Sequence, residues 1–230
     1  MSTATPLNPK QMVAAAAAEM VENGMIVGLG TGSTANLFID ALANRCREQE
    51  LQLRVVASSI ISHNRAIQAG LSVMSLSQLT GLDLYIDGAD EVAPDLSLLK
   101  GRGQDLVREK LLAHHADQFV VLVDDSKLVD TIGDKNPIPI EVSPENGQLV
   151  RTALQQAGGS GDLRLNAAGD NVFYSASGSL VLDMKFTDMT TKSLDQLLSA
   201  LPGVVEHGIF YQLASDVLIG RADGVERLTA

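Results

Sequence analysis

The feature that most constrains this fold is an alternation in the first half of the chain. Short runs of Val, Ile or Leu are each followed by a polar or glycine-rich break and then by a stretch of helical periodicity. Such alternation builds βαβ units, which close into a parallel sheet covered by helices. The pattern predicts a helix over Lys10–Val21, a strand over Met25–Leu29, a loop through Gly30–Ser33 and a helix from Thr34 to Arg45. Further strands are expected at Arg54–Ala57, Leu82–Ile86 and Phe119–Val123, apolar enough to be buried on both faces. Helices are expected between them at Ile60–Ala69 and Gln104–His115.

The pattern changes after Lys127. Thr131–Pro144 contains three prolines and a glycine and reads as a connection into a second unit. Beyond it a helix is predicted over Pro144–Ala157, strands over Asp162–Asn166, Val172–Ser175 and Leu180–Met184, and a helix over Thr191–Leu201. Val204–Phe210, Asp216–Ile219 and Val225–Leu228 read as strands returning to the first domain, with Ala222-Asp223-Gly224 as a tight turn. The expected architecture is α/β, with a helix-covered parallel-sheet domain over 1–130 plus 206–230 and a smaller α+β domain over 131–205.

Composition removes several function classes. With 17 Lys+Arg against 28 Asp+Glu the net charge is -11, which repels nucleic-acid phosphates and anionic lipid headgroups. The chain has no Trp and only 3% aromatic residues, so base-stacking platforms are not expected. Cys46 stands alone and no Cys/His cluster of metal-binding type occurs, which fits a reducing cytoplasm. Met1–Lys10 lacks a basic leader region, and Val13–Ala18 is too short an apolar run to cross a bilayer.

Four polar clusters each follow a predicted strand, which points to a shared site. Gly28-Leu29-Gly30-Thr31-Gly32-Ser33-Thr34 opens a helix and offers free backbone N–H groups and hydroxyls to an anion; otherwise it is a capped strand-to-helix turn. Ser33 stands where a dinucleotide fingerprint needs its third glycine, and the lysine of a nucleoside-triphosphate loop is missing, so a single small phosphate is the expected guest. Asp87-Gly88-Ala89-Asp90-Glu91 could bind a hard cation, or use one acid on substrate hydroxyls while the others hold backbone N–H groups. Lys100-Gly101-Arg102-Gly103 supplies positive charge and close backbone approach ahead of a helix that carries Glu109. Taken alone, Glu109 is an acid on a helix flank. Beside Lys100 on a partly apolar face it becomes a candidate base, because burial raises a carboxyl pKa while an ammonium lowers it. Asp124-Asp125-Ser126-Lys127 adds a cation at the same sheet edge. His63, His114, His115 and His207 receive no catalytic role.

In order and spacing these clusters resemble the ribose-5-phosphate isomerase A family, together with the late segment Pro202-Gly203-Val204-Val205-Glu206-His207-Gly208-Ile209-Phe210. The resemblance implies a Rossmann-like domain with a small α+β domain, no metal or other cofactor, a homodimer, and a cytoplasmic enzyme of the non-oxidative pentose phosphate pathway. It assigns Glu109 as catalytic base, with Asp87 and Lys100 assisting. Substrate contacts fall on Lys10, on Thr31, Gly32, Ser33 and Thr34, on Asp87, Gly88, Ala89 and Asp90, on Lys100, Gly101, Arg102 and Gly103, and on Lys127. Arg102 departs from the family, which has glycine there, as do Gln104 and Asp105. Ser58-Ser59 is only partly typical, and Asn166–Ser179 differs from the family's turn. The arginine is expected to point outward or to the rim.

The activity implied is exchange of D-ribose 5-phosphate and D-ribulose 5-phosphate through an enediol. Glu109 carries the proton between C2 and C1, Lys100 steadies the oxyanion, and the Thr31–Thr34 loop holds the phosphate. The rival reading is a non-catalytic sugar-phosphate-binding paralogue or sensor. A DNA-reading module is not expected, since only about ten residues precede the first helix, too few for a helix-turn-helix.

Overall fold

The computed structural model describes residues 8–230, so the part of the leader reading that rests on Met1–Leu7 lies outside the described residues. The chain begins α1 (Pro9–Glu19), β1 (Ile26–Leu29), α2 (Ser33–Gln49), β2 (Arg54–Ala57), α3 (Ile60–Gln68) and β3 (Leu82–Gly88). It continues β4 (Glu91–Val92), β5 (Leu98–Leu99), α4 (Leu106–His115), β6 (Ala116–Asp124), β7 (Ile138–Val142) and α5 (Gly147–Gln156). The last elements are β8 (Gly159–Leu163), β9 (Leu180–Phe186), α6 (Thr191–Ala200), β10 (Val204–His207), β11 (Ile209–Phe210), β12 (Asp216–Arg221) and β13 (Gly224–Thr229). Among the described residues no helix is long and apolar enough to cross a membrane.

Two compact units result. One holds the chain up to Ala89, Leu111–Lys127 and Ala214–Ala230; the other holds Asp90–Lys110 and Leu128–Leu213. The first is built on a six-stranded sheet in the order β13-β12-β6-β3-β1-β2, parallel throughout except for β13. α1 starts on a capping box in which Asn8 and Gln11 exchange backbone-to-side-chain hydrogen bonds, each 2.9 Å, with Pro9 following the cap. The small side chains Ala14, Ala17 and Ala18 pack with Phe38, Ile39 and Leu42 of α2 against Leu84, Ile86, Val120 and Leu122. Alternate strand residues therefore face this core, and burying each large side chain contributes about 1.5–3 kcal/mol.

The second unit has an antiparallel sheet in the order β10-β7-β9-β8. Val150 and Leu154 of α5 and Leu194 and Leu198 of α6 share a core with Ile138, Ile140, Val142 and Leu182. The expected parallel sheet and the separate antiparallel layer are thus both present. A three-stranded ribbon, β11-β5-β4, completes this unit.

Several expectations are corrected. Ile138–Val142 is not part of a connection but an inner strand, despite Pro139. That proline lies one residue beyond the last residue β10 pairs, and its carbonyl accepts from Gly208 N at 2.8 Å. Val204–Phe210 pairs with β7 and β5, whereas β12 and β13 extend the six-stranded sheet. Val172–Ser175 forms only the isolated bridges Leu165↔Val172 and Tyr174↔Leu180. β3 runs on through Asp87 and Gly88, which pair with Val121 and Leu122, so Asp87 belongs to the strand and does not follow it.

Candidate active site

In the first unit β1 has β3 on one side and β2 on the other, so the chain reverses its direction of travel across the sheet there. A crevice forms outside the carboxyl ends of strands at such a switch point. Four strands deliver polar groups to that edge: β1 gives Gly30–Thr34, β2 gives Ser58-Ser59, β3 gives Asp87 and β6 leads into Asp124–Lys127. Asp87 is 0% exposed. Its Oδ1 accepts from Thr31 N at 3.0 Å and Gly88 N at 2.7 Å, and its Oδ2 from Tyr85 Oη at 2.6 Å. The carboxylate therefore ties the glycine loop to β3. Thr31 Oγ1 donates to Ser59 Oγ at 2.6 Å and lies 3.1 Å from Ser58 Oγ. Both serines are buried.

Gly32 sits at the start of α2 with φ +116°, a conformation that favours glycine, and it supplies no side-chain cap. The leading N–H groups of a 17-residue helix are left without a capping side chain, and they put partial positive charge at this edge. Lys10 Nζ donates to Ser33 Oγ at 3.2 Å. The Asp124 carboxyl is held below the usual range, first by the Ser126 hydroxyl and also by the charges of Lys10 and Lys127. Both cations thus act on one carboxylate at this sheet edge.

The second unit carries the other pair. Lys100 Nζ lies 3.1 Å from Glu109 Oε2, and the two residues are only 4% and 7% exposed. Lys100 follows β5, and its N–H donates to Gly208 O at 2.9 Å. A Cβ on Gly208 would come 2.3 Å from Lys100 O, so glycine is required for this approach. The Phe210 ring takes the Lys100 ammonium at 5.6 Å and the Lys110 ammonium at 5.2 Å from its centroid. Glu109 stands in the first turn of α4. Asp90 N donates to Leu99 O at 2.8 Å, and Asp90 Oδ2 receives Arg102 N at 3.4 Å. Glu91 is buried and accepts from the N–H groups of Gly133, Lys135 and Asn136 at 2.6–3.0 Å, which fixes that turn. Of the two uses open to the acidic cluster, Glu91 follows backbone capping. Among the described residues no group of three or more His, Cys, Asp or Glu is placed to hold a metal ion.

Residues 54–224 match the family model described as ribose 5-phosphate isomerase A (phosphoriboisomerase A). The chain belongs to the ribose 5-phosphate isomerase A family. It is 39% identical to the ribose-5-phosphate isomerase A of Thermococcus kodakarensis, over 95% of this chain and 96% of that one. With the Synechococcus enzyme of the same name it shares 42% identity, over 94% of each. The solved ribose 5-phosphate isomerase A of Methanocaldococcus jannaschii superposes with a TM-score of 0.91 at 38% identity, covering 96% of this chain and 98% of that one. A D-ribose-5-phosphate isomerase solved in complex with phospho-erythronic acid also gives a TM-score of 0.91, at 36% identity over 96% of this chain and 98% of that one.

Within this family member the residues singled out from sequence sort by unit. Lys10, Thr31–Thr34, Asp87–Ala89 and Lys127 lie in the first, and Asp90, Lys100–Gly103 and Glu109 in the second. Arg102 is exposed. Ser58 and Ser59 are not among the expected site residues; the available signal is a pair of hydroxyls directly after a parallel strand beside β1. No role is expected from sequence for Lys110, Glu206 and His207 either. Lys110 Nζ donates to Glu206 Oε1 and to His207 O, each at 2.7 Å, and lies 3.3 Å from His207 Nδ1. His207 Nε2 lies 3.0 Å from Ser199 Oγ and 3.8 Å from Asp195 Oδ1.

Burial first, and then the Lys110 charge, push the His207 pKa from 6.5 down to about 3. Below about pH 6.5 the unfolded chain takes up a proton that the folded protein refuses, so stability falls by about 1.4 kcal/mol per pH unit as pH drops, until about pH 3. Between about pH 7.5 and about pH 5 the loss from this one group is about 2 kcal/mol. Urea unfolding of the parent and of His207→Gln at the two pH values should show that the variant lacks this increment. Parallel pH dependences in the two proteins would refute it.

Proposed function

We propose that this chain is an aldose–ketose isomerase interconverting D-ribose 5-phosphate and D-ribulose 5-phosphate. The observation that carries the reading is the buried Lys100–Glu109 pair at 3.1 Å in a member of this family. A carboxylate beside a fixed ammonium is the equipment for moving a proton next to a carbonyl. Glu109 removes the C2 proton of the open-chain aldose, and Lys100 stabilises the oxyanion that develops at O1. The enediolate then receives the same proton at C1, while a hydroxyl proton moves with help from Asp87. The acid form of Glu109 returns to carboxylate, so no net proton is consumed.

The uncapped start of α2, with Thr31, Ser33, Thr34, Lys10 and Lys127, takes the phosphate. Asp90 and the Lys100–Gly103 backbone meet the sugar. Phospho-erythronic acid, bound by one relative, is a phosphorylated sugar acid whose carboxylate matches the charge of an enediolate. That chemistry agrees with an oxyanion-stabilising ammonium. Arg102 is exposed, which agrees with an outward or rim position for its side chain. We further infer a cytoplasmic homodimer that needs no cofactor and serves the non-oxidative pentose phosphate pathway.

The test is incubation of purified protein with ribose 5-phosphate in EDTA, following ketose formation. Turnover is expected, and unphosphorylated ribose should be converted at least about a thousandfold less efficiently, because remote phosphate binding positions the reacting carbons. Saturable binding without turnover would leave the sensor reading in place. Equal use of the two sugars would refute the phosphate cradle.

A further inference from the structure

In the second unit, a third charged residue is committed to the Lys100–Gly103 loop, and no role in the reaction has yet been given to it. Arg164 follows β8, and its backbone is pinned from both sides, with its N–H donating to Val181 O at 2.7 Å and its carbonyl accepting from Phe173 N at 2.8 Å. The side chain is 13% exposed, and its guanidinium forks onto Asp183, Nε to Oδ2 at 2.8 Å and Nη2 to Oδ1 at 2.6 Å. Phe173 packs its ring 5.3 Å from the guanidinium carbon. The remaining edge of the fork, Nη1, faces three successive carbonyls: Gly101 O at 3.0 Å, Arg102 O at 3.2 Å and Gly103 O at 3.4 Å.

Three consecutive carbonyls converge on one N–H edge only when the chain curls around it. Gly101 permits that curl with φ +97°, and a Cβ there would press on Leu106 Cδ1 at 3.0 Å. The loop is anchored at one end by Lys100 N on Gly208 O and at the other by Ala176 N on Gln104 O, at 2.8 Å. Between those anchors the carbonyls turn to Arg164. An ordinary loop-stabilising arginine would bond one carbonyl, whereas this one organises the entire turn between the proposed electrophile and the helix of the proposed base.

We propose that Arg164, oriented by Asp183, is a positioning residue that shapes the Gly101–Gly103 backbone and so holds the Lys100 ammonium in register with Glu109. This rests on the isomerase reading above. A lysine cannot take its place. An ammonium lacks the planar fork that meets both carboxylate oxygens on one side while presenting a further N–H edge on the other. A displacement of about 1 Å in a catalytic group costs on the order of a hundredfold in rate.

The experiment compares Arg164→Lys with the parent and with Glu109→Gln, measuring kcat and KM for ribose 5-phosphate alongside thermal melting. Expected for Arg164→Lys is a kcat lowered about 10–100-fold with KM within about threefold and a melting temperature near the parent's, because the phosphate is held by other residues. A merely structural role would lower the melting temperature and leave kcat per folded molecule unchanged, and that result overturns the proposal. If Arg164→Lys does not fold, Asp183→Asn decides, since it keeps volume and the guanidinium but loosens the fork: a kcat loss of about fivefold or more at retained folding supports the role, and an unchanged kcat ends it. Full activity of Glu109→Gln would remove the isomerase assignment itself. An inactive Glu109→Gln beside a normal, folded Arg164→Lys would sink the positioning role alone.

Discussion

Replacing Glu109 with Gln is expected to lower kcat for ribose 5-phosphate by two or more orders of magnitude while leaving KM within a few-fold. The amide conserves the volume and planarity of the carboxylate but cannot accept a proton from carbon, so binding survives and the transfer step does not. Lys100, 3.1 Å away, would lose its charged partner in a buried place. A stability loss of roughly 1–3 kcal/mol is expected with the rate loss, since a buried ion pair becomes a contact between an ammonium and a neutral amide. Steady-state kinetics with a melting curve check both. Turnover within tenfold of the parent would move the proton transfer to another residue.

Gly30→Ala should be nearly as damaging through a wholly steric route. A Cβ there would stand 2.1 Å from Asp87 Oδ1 and 2.2 Å from Asp87 Cγ, far inside contact distance. The loop cannot simply back away, because Gly30 N is bonded to Ile86 O at 2.8 Å and Thr31 N to Asp87 at 3.0 Å. The carboxylate cannot leave either, being buried and held by Gly88 N and Tyr85 Oη. One or more hydrogen bonds to a buried charge must break, at roughly 1.5–3 kcal/mol each, and the start of α2 must shift. We expect a loss of about 3 kcal/mol or more in unfolding free energy and, where the protein still folds, about a hundredfold or more in kcat/KM. Gly81→Ala is the contrast. A Cβ at Gly81 meets nothing within 4 Å, and this change should move neither measurement appreciably. Near-parent kinetics and stability for Gly30→Ala would show that the loop and Asp87 are not the fixed unit described.

Burying two strand faces needs unbroken Val, Ile and Leu runs, so β1, β2, β3 and β6 were legible, as was the edge of the sheet where their polar ends gather. Polar groups confined to short segments were legible for the same reason: a glycine loop ahead of a helix, an acid after Tyr85-Ile86, and a carboxylate in the first turn of α4. The strand Ile138–Val142 was hidden because its proline reads as a breaker until the length of β10 is known. β4, β5 and β11 were hidden because two residues carry no period.

What the sequence by itself determined is local: helical and strand periodicity, the reach of each polar cluster from its strand, the excess of acidic over basic residues, and the residue types able to move a proton. What only the tertiary structure decided is which distant groups restrain those residues. Gly208 lies against Lys100 and Ser58-Ser59 against Thr31, Arg164 takes the three loop carbonyls, and Lys110 meets Glu206 and His207. Each of these contacts joins positions more than twenty residues apart. Side-chain identity states what a group can bond, but the partner is chosen by the packing of whole elements, which one strand's pattern does not carry.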